Sequence, residues 1–294
     1  MIRVDRVAYV ALETPDVAAA AAHYTDVMGL TLVDKSKDAA YLTTSVDHHN
    51  IVLRKGSIAR CVSLGFQVPV GTNLGDYAKQ VEAHSIKVKR QKDSQPNIAE
   101  IVTFEDSKGT QVEIFEAHEA VSKPYAKSGI VPNKLGHVAY NVTDIDAAVK
   151  FYCDVLGFRV SDWMGDFFAF LRCNSDHHTI NLVKAEKTKM HHIAFELRDW
   201  GHIKDACDTL YQFKTPLVWG PVRHGIGHNI SMYHRNADGQ IMEHFCELDT
   251  MNEGTGAFDP RPTHRDYPQK PKVWTEMMEA ASVWGVPPPE GFLD

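Results

Sequence analysis

The chain has 294 residues, 44% hydrophobic and 23% charged, which suits a globular protein long enough for two modest cores or one large one. A net charge of −7 with no basic block argues against nucleic acid as a partner, and no apolar run reaches membrane length. Five cysteines, odd in number and without a CxxC pair, suit reduced thiols, and the chain opens in a strand pattern where a signal peptide would lie, so a cytoplasmic protein is expected.

After the opening strand, Thr14 reads as a capping residue with Pro15 at the first helical position, and this helix closes at Gly29. Strands follow around residues 40–42 and 51–53, and a second strand and helix begin at Val62 and Leu74. The same order then returns. Residues 5–30 align without gaps on residues 133–158, with Val10/Val138, Asp16/Asp144, Tyr24/Tyr152 and Gly29/Gly157 among the identities. Further on, Asp47-His48-His49 matches Asp176-His177-His178, and Gly109 and Glu113 match Gly239 and Glu243, so the chain is a duplication. In the second copy the helix opens at Thr143 and closes at Gly157, strands lie around 167–171 and 179–183, and the second strand and helix begin at His192 and Trp200.

Each half therefore holds two βαβββ units, and the predicted fold class is α+β. It consists of two tandem domains, each an open barrel with helices outside and a site on the inner face. The domains are expected at residues 1–120 and 133–249, joined by the Lys- and Pro-containing segment 120–133. Residues 250–294 form an extension holding seven of the 14 prolines and one helical run, with Val273, Met277, Ala281 and Trp284 on one stripe. Such a stripe could dock on its own domain, meet another subunit or cover a substrate entrance.

Histidine usage points to the second half: ten of the 16 histidines lie between His137 and His244. His137 shares a strand face with Leu135 and Ala139, and His192 with Met190 and Ala194. Ile241, Glu243 and Phe245 alternate, so one carboxylate sits on an apolar face, where it is costly to bury unless paired. The turn Asn236-Ala237-Asp238-Gly239 brings Tyr233 and Glu243 onto neighbouring strands, within reach of His224. The matching positions of the first half hold Tyr9, Ser63 and Glu113, so two of three donors are missing there. A lone histidine on an apolar strand is usually a satisfied core residue. Three donors at repeat-equivalent positions, two of them selectively absent from the sister copy, argue instead for a metal. Two imidazoles and a carboxylate suit non-haem Fe(II), with Mn(II) next. Strand alternation turns His191 and His244 to the opposite face.

Over residues 4–248 the sequence resembles the type I extradiol catechol dioxygenases of the vicinal oxygen chelate superfamily. The likeness is strongest in GHVAYNV, CNSDHHTINL, HHIAFEL and RHGIGHNISMYHRNADGQIMEHF. It implies an N-terminal half without a site, His137, His192 and Glu243 as metal ligands, Fe(II) as cofactor and O2 as co-substrate. His178 would be the acid-base group, and His224 and Tyr233 would hold the diol oxygens. Ala237 departs from the family signature, which usually has proline there. His177-His178 recurs as His48-His49 in the half without a site, so a structural role inherited by both copies stands beside the catalytic one. The expected partners are a small catechol and further copies of the chain, and Phe167, Phe168, Phe170, Ile180 and Ile226 are the expected pocket walls. The same fold also hosts metal-dependent isomerases, thiol transferases and metal-free ligand-binding proteins.

Overall fold

Both halves lay down the same elements, as seen in the computed structural model, which describes residues 1–44, 46–117, 128–259 and 268–293. Two units separate by their internal contacts: Met1–Leu135 with Lys150–Phe158, and Gly136–Val149 with Arg159–Asp294. Residues 120–127 of the expected linker, with 118 and 119 before it, lie outside the described residues.

The first half contains β1 (Arg6–Thr14), α1 (Val17–Ala22) continued by a π-helical turn at His23–Val27, β2 (Thr31–Lys35), β3 (Ala39–Thr43) and β4 (Ile51–Lys55). Its second unit is β5 (Arg60–Gln67), α2 (Leu74–Glu82), β6 (Lys89–Gln95), β7 (Ile98–Glu105) and β8 (Gln111–Phe115). These strands form one mixed sheet in the order β2-β3-β4-β1-β5-β8-β7-β6, with β1/β4 and β5/β8 parallel. The sheet starts at β2 and ends at β6, so the barrel stays open.

The second half repeats this as β9 (Lys134–Val142), α3 (Ile145–Asp154), β10 (Arg159–Met164), β11 (Phe168–Arg172) and β12 (Ile180–Lys184). β13 (Lys189–Glu196), α4 (Trp200–Gln212), β14 (Leu217–Arg223), β15 (Ile230–Arg235) and β16 (Ile241–Cys246) follow. The extension adds β17 (Met251–Asn252), β18 (Ala257–Phe258), β19 (Lys272–Trp274) and α5 (Met277–Ala281). The larger sheet runs β14-β15-β16-β13-β9-β12-β11-β10-β19, and β19 lies parallel to β10. The two βαβββ units of each half appear as expected. Among the described residues no helix is long and apolar enough to cross a membrane.

Two local expectations are corrected. The helix caps are Asp16 and Asp144, not Thr14 and Thr143: Asp16 Oδ1 accepts from the amides of Ala18 and Ala19, and Asp144 Oδ1 from that of Ala147. Thr14 instead completes β1, because the strand's hydrogen bonds continue to the residue before proline, where a helical backbone is disfavoured. The extension's long helical stripe also does not form. Val273 lies in β19 and is exposed, helix is confined to Met277–Ala281, and Trp284 lies beyond it, since pairing with the β10 edge competes successfully with a helix of modest propensity.

Candidate metal centre and cavity

Three strands adjacent in the sheet, β16, β13 and β9, each turn one polar group toward a common point. Glu243 sits opposite Tyr233 across the β15/β16 pair and opposite Ala194 across β13/β16, and His192 shares the face of Ala194 two residues away. His137 Nε2 lies 3.2 Å from His192 Nε2 and 3.0 Å from Glu243 Oε2, and His192 Nε2 lies 3.0 Å from the same oxygen. All three side chains are buried.

This donor triangle fits a metal ion. Three donors with edges of 3.0–3.2 Å match one face of an octahedron whose bonds are about 2.1–2.3 Å long, the range of first-row divalent ions with N and O ligands. Were both imidazoles to donate to that one carboxylate oxygen, two N–H groups would stand 3.2 Å apart, whereas a cation lets all three atoms present lone pairs to one point. Burial lowers the pKa of His137, keeping it a neutral ligand with a lone pair. Burial alone would raise the Glu243 carboxyl, but His137 and His192 outweigh it and hold it well below the usual carboxylate range. Its other oxygen accepts from Ser231 Oγ at 2.6 Å and Asn229 Nδ2 at 3.2 Å, which fixes the carboxylate plane.

The set opens onto a cavity of about 240 Å³ lined by Met164, Phe167, Phe168, Phe170, Trp219 and Ile226 together with His178, His224 and Tyr233. The His178 ring packs 4.4 Å from that of His137, and burial, its largest influence, holds its pKa well below the ordinary imidazole value. His224 Nδ1 lies 2.7 Å from the carbonyl of Ala281, which can only accept, so Nδ1 carries the proton and donates. His224 Nε2, 2.9 Å from the Tyr233 hydroxyl, is then a lone pair that accepts from it, in line with the depression of the His224 pKa by burial. Burial and then Glu243 push the Tyr233 phenol well above its ordinary value, so it stays protonated. Tyr233 stacks on Trp219 at 5.3 Å, and Phe292 meets it edge-on at 5.1 Å.

The structure thus gathers His137, His192, Glu243, His178, His224 and Tyr233 around one cavity. Ile180 is buried in β12 and is not part of the wall, unlike the other four residues expected there. His191, expected on the opposite face, also lines the cavity: its Nδ1 is 2.6 Å from His192 Nδ1 and its Nε2 is 2.5 Å from the carbonyl of Phe292. Alternation fails there because the extension, at Phe292, supplies an acceptor that draws the ring toward the cavity rim. Met277, Met278, Ala281, Phe292 and Leu293 complete the wall from the extension. Asn229 and Ser231 were missed as well, although Ser231 shares the face of Tyr233 by simple alternation. His234 and His244 stack on each other at 5.2 Å, away from the metal ligands.

A family model described as the Glyoxalase/Bleomycin resistance protein/Dioxygenase superfamily matches residues 6–114 and again 134–243. A 3-methylcatechol 2,3-dioxygenase of Pseudomonas putida is 26% identical over 260 residues, covering 82% of this chain and 89% of the relative. An iron-dependent extradiol dioxygenase of Rhodococcus jostii is 25% identical over 264 residues, covering 82% and 88%. Among solved structures, a Mn(II)-bound glyoxalase from Novosphingobium aromaticivorans superposes with a TM-score of 0.84 at 27% identity, covering 97% of this chain and 92% of the other.

Proposed function

The chain belongs to the glyoxalase/bleomycin resistance protein/dioxygenase superfamily, and we propose that within it this protein is an extradiol dioxygenase, opening the ring of a catechol-type diol beside its hydroxyl pair with O2. The observation that carries this reading is the buried two-histidine, one-carboxylate triangle at an apolar cavity that also holds His178, His224 and Tyr233. His137, His192 and Glu243 would hold Fe(II), or Mn(II) in its place, which supplies Lewis acidity for deprotonating a diol and coordination room for diol and dioxygen.

The chain's own groups account for the rest. Tyr233, donating its proton to His224, offers its oxygen as an acceptor to a diol hydroxyl, and the Ala281 carbonyl keeps the pair in that polarity. His178, neutral at physiological pH, takes up and returns a proton at the cavity. Phe167, Phe168, Phe170 and Phe292 surround the remaining ring atoms with apolar surface, which orients the ring and excludes water.

The test is anaerobic loading with Fe(II) or Mn(II), addition of catechol, 3-methylcatechol or a phenyl-substituted catechol, and admission of oxygen. Uptake of one O2 per diol with appearance of a coloured ring-opened product is expected. Metal-loaded protein that takes up no oxygen with any of the three diols overturns the reading. The manganese-bound glyoxalase likeness favours metal-dependent isomerisation as the second reading, which would show turnover of a suitable substrate without oxygen consumption.

A further inference from the structure

We propose that Asp162, covered by the C-terminal extension, is a positioning residue that acts through His177 to set the proton arrangement of His178, so that His178 presents a basic lone pair to the cavity. The catalytic consequence rests on the dioxygenase reading of the site; the proton arrangement does not.

Asp162 and His177 are both completely buried, with His177 Nε2 3.2 Å from Asp162 Oδ2. The same carboxylate accepts from the Trp274 indole N–H at 2.8 Å, on Oδ2, and from the Lys272 amide at 2.8 Å, on Oδ1. A carboxylate receiving donors on both oxygens is an acceptor toward His177, so His177 Nε2 carries a proton. In the neutral ring His177 Nδ1 is then a lone pair. That nitrogen lies 2.9 Å from His178 Nδ1, and two lone pairs cannot face each other at that distance, so His178 Nδ1 is the donor. His178, which lines the cavity, is left with its Nε2 lone pair. The direction of the whole chain of hydrogen bonds follows from the one group that can only accept.

The first half shows what happens without the extension. His48 Nδ1 and His49 Nδ1 lie 3.0 Å apart, as in the second half. Asp34, the counterpart of Asp162, follows a register shift in β2 as Asp162 does in β10, yet it is exposed and its Oδ1 accepts from the Lys35 amide. β2 is an outer strand of its sheet, whereas β10 is covered by β19, which brings both Lys272 and Trp274 to the carboxylate. The histidine pair is common to both halves, and the carboxylate at the Asp162 position is buried in the second half and exposed in the first.

The test is long-range proton–nitrogen NMR of the full chain labelled at histidine, with and without diamagnetic Zn(II), assigned by the signals lost in His177→Gln and His178→Gln. The expected wild-type spectrum shows His178 protonated at Nδ1 and His177 at Nε2. Asp162→Asn, whose amide can present either a donor or an acceptor, should mix these forms. It should also lower kcat roughly tenfold or more while the KM for the diol and the metal content stay within about twofold. A wild-type His178 protonated at Nε2 overturns the proposal, as does an Asp162→Asn variant with unchanged tautomers and unchanged kcat. The wild-type spectrum decides the proton arrangement even if the variant fails to fold. Absence of diol-dependent oxygen uptake in the metal-loaded wild type would refute the dioxygenase reading and leave the spectrum to judge the Asp162 arrangement by itself.

Discussion

The two halves started from one βαβββ pair, and the sharpest difference between them lies at Tyr9 and His137. In the second half three strands converge on a point with nitrogen and oxygen lone pairs. In the first half the Tyr9 hydroxyl donates to Glu113, and Gln95 at 3.1 Å and Gln111 at 2.7 Å donate to the same carboxylate. The Tyr9 ring fills the space between, 4.7 Å from His49 and stacked on Phe115 at 5.8 Å. Gly65 makes room for it: a Cβ there would come within 2.3 Å of the Tyr9 ring, while the second half has Ala194 at the same position. A buried carboxylate must be paired, and the two halves meet that requirement in opposite ways, one with neutral hydrogen-bond donors and the other with groups that together ask for a cation.

The largest effect that would break this contrast concerns metal retention. His137→Ala or Glu243→Ala should lose bound Fe(II) or Mn(II) and all diol turnover, while Glu113→Ala keeps about one ion per chain by elemental analysis. Equal loss from the Glu113 change would mean that both halves hold metal.

Next in size is the paired histidine that both halves share. His178→Ala should retain metal yet lower kcat roughly 10²-fold, whereas His49→Ala should leave kcat within about twofold. Steady-state kinetics on the two variants, with metal content measured alongside, separates a catalytic role from an inherited structural one.

The extension supplies a smaller effect, through the wall that its described residues add to the second half's cavity. Phe292→Ala removes a ring that packs on Tyr233, Trp219 and His191. The ratio of kcat/KM for 3-methylcatechol over catechol should fall by about tenfold, the scale of lost apolar contact in a pocket. A ratio unchanged in this variant would place substrate selection elsewhere in the cavity.

Smallest for activity is Tyr9→Phe. It leaves the buried Glu113 carboxylate without one donor and should cost about 1–3 kcal/mol in urea unfolding, with kcat unaltered. A fall in kcat would mean that the first half contributes to turnover.

Much of this was legible along the chain. Strand faces follow from alternation between residues two apart, so His137, His192 and Glu243 could be placed on inner faces, and comparison of the copies isolated them from the other histidines. The helix starts differ from expectation by one or two residues, because a threonine and an aspartate compete for each cap; at Thr14 the following proline's effect on the backbone decides between them, and at α3 the Asp144 carboxylate takes the Ala147 amide. His191 was misplaced for a different reason: its ring answers to Phe292, 101 residues away, and not to its own strand.

The sequence by itself determined the duplication, the element order and the set of donors, since these depend on local periodicity and on similarity between the halves. Only the tertiary structure decided where the extension lies. Its Trp274 reaches Asp162 across 112 residues, its Ala281 carbonyl orients His224 across 57, and its Phe292 closes the cavity wall. No periodicity in a proline-rich segment encodes such contacts, because they arise from the β10 edge and the cavity mouth that the folded second half presents to it.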